Sequence, residues 1–583
     1  MGIVRLSVLA VVIGIVTGIG AVVFRDLIGF IHNLLFLGQA SFVYDANVFT
    51  PTSPWGVWVI LVPVLGAIVV TFLVEKFAPE ARGHGVPEVM DAIYYKGGAI
   101  RPVVAVVKSL ASAIAIGSGS AVGREGPIIQ IGSALGSTLG QLVRVLAAER
   151  IILVAAGAGA GIAATFNTPI GGVLFAIELL LPEVSIQSFL PVALATGTAT
   201  FVGQFFFGQQ PAFDVPALAP LHVDGSAVIS LCLYALLGAI TGLASAGFVL
   251  GLHMVEDIFD LIKQRYLRHM LGMLLVGILI YVLHETLGQY YVEGVGYATI
   301  QAILGGQLSF FPLLALLFVC KLLATSLSLG SGSSGGIFSP SLFMGATIGA
   351  AFAAFLTTLH LPIPISIESF AMVGMGAMVG GATGAVMTAV TMIFEMTRDY
   401  NIVMPMILAV ALSVGVRRLL SAESIYTLKL FRRGRFLPKA LHANIFLERR
   451  AHELMDSDIA IAPAETDFEE FLLRPEHQSR RLHIVVTRAN RILGVLRINT
   501  GLRRGLEHMH VGVTLGDVAD HNFTIVRANE LGITVIRRLS RKRAMMAVVV
   551  RDRRVPRPAD ILGVITKEHV ADSVTDSVQI YPE

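Results

Sequence analysis

A glycine-rich, charged stretch between two long apolar segments constrains this chain more than any other feature. Residues 117–127 run Gly-Ser-Gly-Ser-Ala-Val-Gly-Arg-Glu-Gly-Pro, and a lipid environment would penalise the charges of Arg124 and Glu125 by roughly 3 kcal/mol each. Such an irregular backbone would also lack hydrogen-bond partners in hydrocarbon, so it must line protein or a water-filled cavity. A helix is predicted to start after Gly126-Pro127, because proline suits a first turn. Glu125 then lies at a helix N-terminus, where free amides and the helix dipole attract negative charge.

The same pattern occurs a second time, 213 residues further along the chain. The recurring pairs are Lys108 and Lys321, Gly117 and Gly330, Gly119 and Gly332, Gly123 and Gly336, and Pro127 and Pro340. Ile337-Phe338 stand where the first copy has Arg124-Glu125. Two broken helices at corresponding places in two halves indicate a midplane binding site of a transporter. Because both helices offer their N-termini, the predicted ligand is an anion.

Composition predicts a polytopic α-helical membrane protein. Of 583 residues, 55% are hydrophobic and only 14% are charged, and the mean hydropathy is +0.75, which excludes an ordinary soluble domain. A net charge of +3 argues against a nucleic-acid partner. No hydrolytic or redox constellation is present, so neither an enzyme nor a metal site is predicted. The first apolar run is expected to be a retained membrane segment, with a signal peptide as the alternative.

Further repeats divide residues 1–430 into two homologous halves, about 3–210 and 225–418, before a last helix at about 422–430. Gly83-His84-Gly85 recurs as Gly294-Val295-Gly296, and Glu178 recurs as Glu395. Several apolar runs are shorter than the roughly 20 residues that a spanning helix needs. Tilted and re-entrant helices are therefore predicted, with inverted topology inferred from the repeat.

The chain changes character after residue 430. Of its 43 Lys and Arg residues, 25 lie in 431–583. A basic linker is predicted at 431–450, and two small α/β modules at 451–507 and 511–576, because Ile492-Leu-Gly-Val recurs at Ile561. The basic residues directly after the last apolar segment place these modules in the cytoplasm by the positive-inside rule.

With these motifs in view, the chain resembles the CLC family of chloride channels and proton-coupled anion exchangers. Residues 123–127 match the gating-glutamate motif of that family, residues 336–340 match its Gly-x-Phe-x-Pro motif, and Tyr426 matches a tyrosine whose hydroxyl contacts the central anion. The tail resembles the paired CBS domains of many members. The resemblance implies a homodimer in a lipid bilayer, expected in the cell membrane, with a separate chloride pore in each subunit.

The resemblance also implies roles for individual residues. Glu125 is the expected gate. The expected anion-binding residues are His84, Gly85, Gly126, Gly336, Ile337, Phe338 and Tyr426, with Ile337 and Phe338 acting through backbone N–H groups. Structural roles in the motifs are expected for Gly83, Pro87, Gly123, Arg124, Pro127, Pro340, Glu178 and Glu395.

Two departures from the family pattern bear on mechanism. The usual Gly-Ser-Gly-Ile-Pro motif is Gly83-His84-Gly85-Val86-Pro87 here, and the inner proton-transfer glutamate that commonly follows the position of Glu178 is Leu179. Leucine cannot carry a proton, so passive conduction is preferred. The alternatives are an anion/proton exchanger with another proton path, a channel for nitrate or fluoride, and a sensor whose conduction is vestigial.

His84 and the two repeated glutamates each have two interpretations. His84 is predicted to face the permeation path between Tyr426 and the Ile337–Phe338 helix end, and the alternative is a packing residue. Glu178 could belong to a proton path. Its equivalent Glu395 in the other half favours instead a role for both in bracing helix ends.

Nucleotide binding by the tail is weakly supported by the sequence. CBS pairs often bind adenine nucleotides through a Thr or Ser followed three residues later by Asp. The corresponding pairs are Thr566 with His569, and Arg497 with Thr500, so neither module carries the ribose-binding acid. The basic run Arg541-Lys542-Arg543 could contact phosphates or form a solvated face.

Overall fold

The computed structural model describes residues 3–182, 184–216, 225–360, 364–435, 450–473, 482–498, 512–551 and 557–570. The chain forms two compact units, Met1–Leu437 and Pro438–Glu583. Thr500 and most of the predicted basic linker lie outside the described residues.

The first unit is entirely helical and repeats one set of eight helices. The first set is α1 Ile3–Leu37, α2 Val62–Phe77, α3 Val86–Tyr95, α4 Val103–Gly117, α5 Glu125–Leu142, α6 Ala147–Phe166, α7 Pro169–Phe175 and α8 Ile186–Phe207. Short 3₁₀ helices at Gly56–Leu61 and Pro79–Ala81 flank α2, and a π-helical turn at Ala176–Leu180 extends α7.

The second set follows in the same order and ends with one additional helix. It comprises α9 Gly225–Asp260, α10 Arg265–Leu287, α11 Tyr297–Leu304, α12 Phe311–Ser331, α13 Phe338–Thr358, α14 Ile367–Thr383, α15 Val386–Thr397 and α16 Val403–Leu420, and then α17 Ile425–Arg432. Within the described residues, nine helices are long and apolar enough to cross a membrane, while α4, the α7 segment and α15 are shorter apolar helices. Apolar helices too short to span therefore occur beside longer ones, as the lengths of the apolar runs indicated.

Packing follows the repeat. In the first set α5 packs on α6 and α1 on α8, and in the second set α13 packs on α14 and α9 on α16. Glycines allow the close approach of these pairs. A side chain at Gly132 of α5 would overlap the backbone of Gly157 in α6, and one at Gly345 of α13 would overlap Gly374 in α14. The predicted polytopic fold with two homologous halves is confirmed.

The first apolar segment is an integral part of this unit, because α1 packs against α4, α5, α6 and α8. Its buried face includes Ala10, Ile13, Phe24 and Ile28. The segment therefore contributes to the core of the first half.

The second unit contains one small α/β module twice. The first has α18 Ala451–Leu454, β1 Ile459–Pro463, α19 Phe468–Leu473, β2 Leu482–Arg488 and β3 Arg491–Ile498. The second has α20 Leu515–Val518, β4 Phe523–Arg527, α21 Gly532–Lys542, β5 Met546–Val550 and β6 Ile561–Thr566. Each sheet joins a parallel pair to an antiparallel pair, in the orders β1-β2-β3 and β4-β5-β6. The two sheets share an apolar cluster that includes Val485, Val495, Val548 and Val564, so the expected pair of α/β modules is confirmed.

Candidate functional site

Backbone hydrogen bonds join the glycine motifs of the two halves. Gly123 N–H donates to Gly336 O at 2.7 Å, and Gly336 N–H donates to Gly123 O at 2.6 Å. These two residues are equivalent in the repeat, and equivalent residues that bond each other reciprocally lie on a pseudo-two-fold axis. The equivalent Ser120 and Ser333 also meet there, with hydroxyl oxygens 3.1 Å apart. The two broken helices therefore start at one common centre.

The third glycine motif joins the same centre. Gly83 N–H donates to Ser333 O at 3.2 Å, and Gly335 N–H donates to Gly83 O at 3.3 Å. Gly85 has φ +82°, a left-handed conformation that favours glycine. A Cβ at Gly85 would lie 2.7 Å from Gly126 O, and a Cβ at Gly126 would overlap His84 O. Glycine at both positions is therefore needed for the backbones to approach.

Glu125 is the first residue of α5 and is 1% exposed. The helix thus begins two residues before Pro127, earlier than predicted from the proline, and Pro127 occupies its first turn. The carboxylate reaches the start of α13 in the other half. Its Oε2 accepts a hydrogen bond from Ser339 N–H at 3.2 Å, and its Oε1 accepts one from the Ser339 hydroxyl. An acid thus occupies a helix N-terminus that would attract an anion.

Tyr297 is a site residue that the sequence analysis missed. Its hydroxyl donates to Glu125 Oε1 at 2.5 Å and lies 2.8 Å from the Ser339 hydroxyl. The repeat contained the signal for it, because Tyr297 directly follows Gly294-Val295-Gly296, the second copy of the Gly83 motif. Ser339, inside the motif at 336–340, is a second site residue that was not expected from the sequence.

Arg124 does not neutralise its neighbour. No ion pair between Arg124 and Glu125 occurs among the described residues. The Arg124 guanidinium carbon instead lies 5.2 Å from the centre of the Tyr297 ring and 5.6 Å from that of Phe166. Cation–π contact with these two rings fixes the position of the Arg124 charge. The guanidinium there adds positive potential near the Glu125 carboxylate.

The amides of Ile337 and Phe338 stand at the N-terminus of α13 as predicted. Ile337 is the N-cap and Phe338 the first helical residue, and both are buried. Neither amide has a hydrogen-bond acceptor among the residues that the structure describes. The amide that Glu125 contacts is that of Ser339, one residue further into the helix. Two free donors therefore remain beside the carboxylate.

His84 is 1% exposed, and neither of its ring nitrogens has a hydrogen-bond partner among the described residues. Its ring centre lies 6.4 Å from that of Tyr426, and Tyr426 is itself 2% exposed at the start of α17. A buried imidazole without a partner is costly. The pair offers polar groups to a ligand at the Gly83 turn.

Two buried lysines hold the glycine turns of the two halves in the same way. Lys108 Nζ donates to Ala81 O at 2.9 Å and Gly83 O at 2.7 Å. Lys321 Nζ donates to Val292 O at 2.9 Å and Gly294 O at 2.8 Å. Each lysine thereby orients two backbone carbonyl groups toward its own ammonium group.

The prolines of the motifs lie in the first turns of the helices that follow them. Pro87 is in the first turn of α3, and Pro340 is in the first turn of α13.

Glu178 and Glu395 each bond the start of a helix in the other half. Glu178 accepts hydrogen bonds from the amides of Met387 and Thr388 in α15, at 3.1 and 2.8 Å. Glu395 accepts them from the amides of Ile170 and Gly171 in α7, at 3.0 and 2.7 Å. The exchange is reciprocal, and both carboxylates are engaged with helix N-termini. Leu179, beside Glu178, packs against the core.

A cavity of about 420 Å³ reaches the Gly83 turn and the side chain of Lys429. Charged residues dominate its lining. The bases are Arg82, Arg265, Arg268, Lys429, Arg432 and Arg433, and the acids are Glu75, Glu88, Glu256, Asp257 and Asp260. Since Arg432 and Arg433 end the membrane unit, this cavity lies on the side of the basic tail. It gives ions a polar approach to the motif centre.

In the C-terminal unit, the described residues at the positions of the nucleotide-binding pattern form hydrogen bonds with other protein groups. His569 N–H donates to the Thr566 hydroxyl at 3.2 Å. Arg497 is bound to Glu568 by two hydrogen bonds, one of 2.6 Å from Nη1 to Oε1 and one from Nη2 to Oε2. Its charge is thereby neutralised within the unit.

Together the fold and the site define a multi-pass membrane protein in which two related halves build an anion-attracting centre around one carboxylate. The family described as "Voltage gated chloride channel" matches residues 66–418. The chain belongs to this family, the CLC family of chloride channels and proton-coupled anion exchangers. It is an anion-transport protein of the membrane, with its C-terminal unit in the cytoplasm, and members of this family are transporters and channels rather than enzymes.

Individual relatives agree with this assignment. The chain is 34% identical over 388 residues to the "H(+)/Cl(-) exchange transporter ClcA" of Vibrio parahaemolyticus, covering 64% of this chain and 79% of the relative. Its fold is similar to a slow cyanobacterial Cl⁻/H⁺ antiporter, with a TM-score of 0.65 and 24% identity over 74% of this chain and 98% of the other. A eukaryotic CLC transporter matches with a TM-score of 0.56 and 20% identity, covering 97% of this chain and 98% of the other.

Proposed function

We propose that this chain conducts chloride, or a closely related anion, through a pathway in which Glu125 is the gate. One observation carries the proposal: a buried carboxylate bonds the N-terminus of α13, beside the free amides of Ile337 and Phe338. A carboxylate and a chloride ion are both monovalent anions. They compete for the same donors, so the pathway opens when Glu125 is protonated or moves away.

The remaining motif residues supply the anion's other contacts. A neutral His84 offers one ring N–H, and its ring nitrogens lack protein partners. Tyr426, whose ring centre lies 6.4 Å from that of His84, offers a hydroxyl. Gly85, Gly126 and Gly336 provide close backbone approach, with Gly83, Gly123 and Pro127 supporting the turns. An anion would enter from the charged cavity past the side chain of Lys429.

Passive conduction is the preferred mechanism, because Leu179 stands where exchangers of the family commonly have a proton-carrying glutamate. Proton-coupled exchange is the second candidate, and the names of the relatives favour it, since the Vibrio protein is an H⁺/Cl⁻ exchange transporter. Nitrate or fluoride in place of chloride belongs to the same proposal, because His84 replaces the usual serine.

Reconstituted flux measured with chloride and pH electrodes separates the two mechanisms. In liposomes with an imposed chloride gradient, a passive channel moves chloride without driving protons uphill. Uphill proton movement that disappears in Glu125→Gln would replace the channel with the exchanger. Absence of any anion flux in both the wild type and Glu125→Gln, each correctly folded, would contradict the proposed function itself.

Assembly as a homodimer belongs to the same proposal. The family resemblance supports it, as do broad apolar surfaces on single subunits: Phe201 and Phe205 of α8 are 70% and 78% exposed. These faces meet lipid or a second copy. Light scattering of the detergent-solubilised protein at the mass of one chain only would contradict the dimer.

A further inference from the structure

Three metal-ligating side chains of the C-terminal unit converge at one point. Asp456 lies before β1, His483 lies in β2, and His569 lies in the helical turn after β6. One ligand atom from each residue lies within 4.8 Å of the other two. Nδ1 of His483 is 3.0 Å from Oδ2 of Asp456, and Nε2 of His569 is 4.0 Å from the same oxygen.

Ordered backbone holds each of the three residues. Asp456 exchanges two backbone hydrogen bonds with Val564 of β6, at 2.9 and 3.0 Å. His483 pairs with Ile459 of β1 on one side and with Arg497 of β3 on the other. The cluster is therefore positioned by the sheets of both modules rather than by a free loop, as a preorganised site requires.

The side chains are also oriented for a cation. Oδ1 of Asp456 accepts a hydrogen bond from Asp458 N–H at 2.9 Å, which leaves Oδ2 facing the histidines. Such an outer contact is typical of carboxylates that ligate metals. His483 is 4% exposed, and the ring nitrogen that it turns toward Asp456 is Nδ1. The nearest base, Arg497, is paired with Glu568 and adds little net repulsion.

The position of His569 explains why this cluster is suited to a metal ion rather than a nucleotide. It occupies the place, three residues after Thr566, where nucleotide-binding CBS modules carry a ribose-binding acid. An imidazole cannot accept two ribose hydroxyls as a carboxylate does. It is instead a ligand for borderline metal ions.

We propose that Asp456, His483 and His569 bind one divalent transition-metal ion of the Zn²⁺ class. Two imidazoles and one carboxylate are a donor set that this class of ion prefers, with bonds of about 2.0–2.2 Å. The three ligand atoms lie within 4.8 Å of one another, so small side-chain movements bring them to such distances from one ion. The 3.4 Å contact from Thr566 N–H to His569 Nδ1 is then released, because the ring carries its proton on Nδ1 when Nε2 binds the metal.

The ion would join the two modules. His483 lies in the sheet of the first module, whereas Asp456 is bonded to β6 of the second module and His569 follows β6. A bound metal therefore stabilises the paired arrangement over separated modules. Ligand binding to the folded state raises its stability by mass action. The site is thus a device by which a metal ion tightens the cytoplasmic pair.

Cobalt is the probe for the test, because Co²⁺ occupies Zn²⁺ sites and absorbs visible light when coordinated by imidazole and carboxylate. Full-length protein in detergent is stripped with EDTA and titrated with Co²⁺, followed by displacement with Zn²⁺. The wild type is expected to bind one Co²⁺ per chain. His483→Gln and His569→Gln are expected to weaken binding tenfold or more. His521→Gln is the matched control, because His521 is an exposed histidine of the same unit.

Two results would overturn the proposal: equal Co²⁺ binding in wild type and both ligand variants, or no saturable absorption in the wild type at millimolar Co²⁺. Asp456→Asn guards against misfolded variants, since it keeps size and hydrogen bonding while removing the charge. It is expected to retain the wild-type elution volume on size-exclusion chromatography and to lose the Co²⁺ absorption. Retained absorption in this variant also counts against the site.

Discussion

The hydroxyl of Tyr297 and the carboxylate of Glu125 are joined by a 2.5 Å hydrogen bond across the interface between the two halves of the membrane unit. The Ser339 hydroxyl bonds the same carboxylate oxygen and lies 2.8 Å from the Tyr297 hydroxyl. Two hydroxyl groups of the second half therefore hold the carboxylate of the first half at the start of α13. Under the proposed gating by Glu125, the strength of these hydrogen bonds sets how readily the pathway opens.

Removing the Tyr297 hydroxyl should loosen the closed position of Glu125. A hydrogen bond to a charged group contributes about 1.5–3 kcal/mol, so Tyr297→Phe should raise the ratio of open to closed pathways roughly tenfold or more. Anion flux into liposomes at neutral pH measures this. Tyr291→Phe is the control. Tyr291 is a buried tyrosine just before α11, and its ring packs edge-on against Phe49. Equal flux in wild type and Tyr297→Phe would show that this bond does not restrain the gate.

His84→Ser should change anion selectivity more than it changes stability. The substitution restores the hydroxyl that the family places at this turn and removes an imidazole whose nitrogens lack protein partners. Reversal potentials for chloride, nitrate and bromide compare the two proteins, with the exposed His360→Ser as a control. If neither the selectivity order nor the anion affinity changes, His84 is a packing residue.

Glu178→Gln and Glu395→Gln should each destabilise the membrane unit by about 1–2 kcal/mol, because a neutral amide binds a helix N-terminus less strongly than a carboxylate. Thermal unfolding in detergent measures the loss, with the exposed Glu285→Gln as a control. Unchanged stability combined with lost proton movement in Glu178→Gln alone would assign this residue to a proton path instead.

ATP should bind weakly or not at all to the full-length protein, since neither module has the acid three residues after its Thr or Ser position. Titration calorimetry of the purified protein with ATP is the measurement. A micromolar dissociation constant, about −8 kcal/mol, would contradict the prediction. His569→Asp restores the acid in the second module and serves as the comparison.

The sequence by itself determined which segments are apolar enough to leave water and which residues of the two halves correspond to each other. Hydrophobicity alone decides that residues 3–37 or 403–420 leave water, because the free energy of burying apolar side chains depends on composition rather than on partners. The nearly constant repeat offset similarly determined that Gly123 is equivalent to Gly336, 213 residues later, and Glu178 to Glu395, 217 residues later. Glycine and proline identified the broken helices, since those residues act on the local backbone.

Only the tertiary structure decided what the charged groups contact. Glu125 adjoins Arg124 in sequence, yet it bonds Tyr297 and Ser339, which are more than 170 residues away. Glu178 and Glu395 each accept hydrogen bonds from a helix N-terminus of the opposite half. Asp456 lies close to His569, which is distant from it in sequence. A short polar contact depends on the meeting of distant segments to within about 3 Å. Local composition does not specify such distances. The hydrogen bonds of Glu125 and the cluster of Asp456, His483 and His569 therefore become visible only in the folded chain.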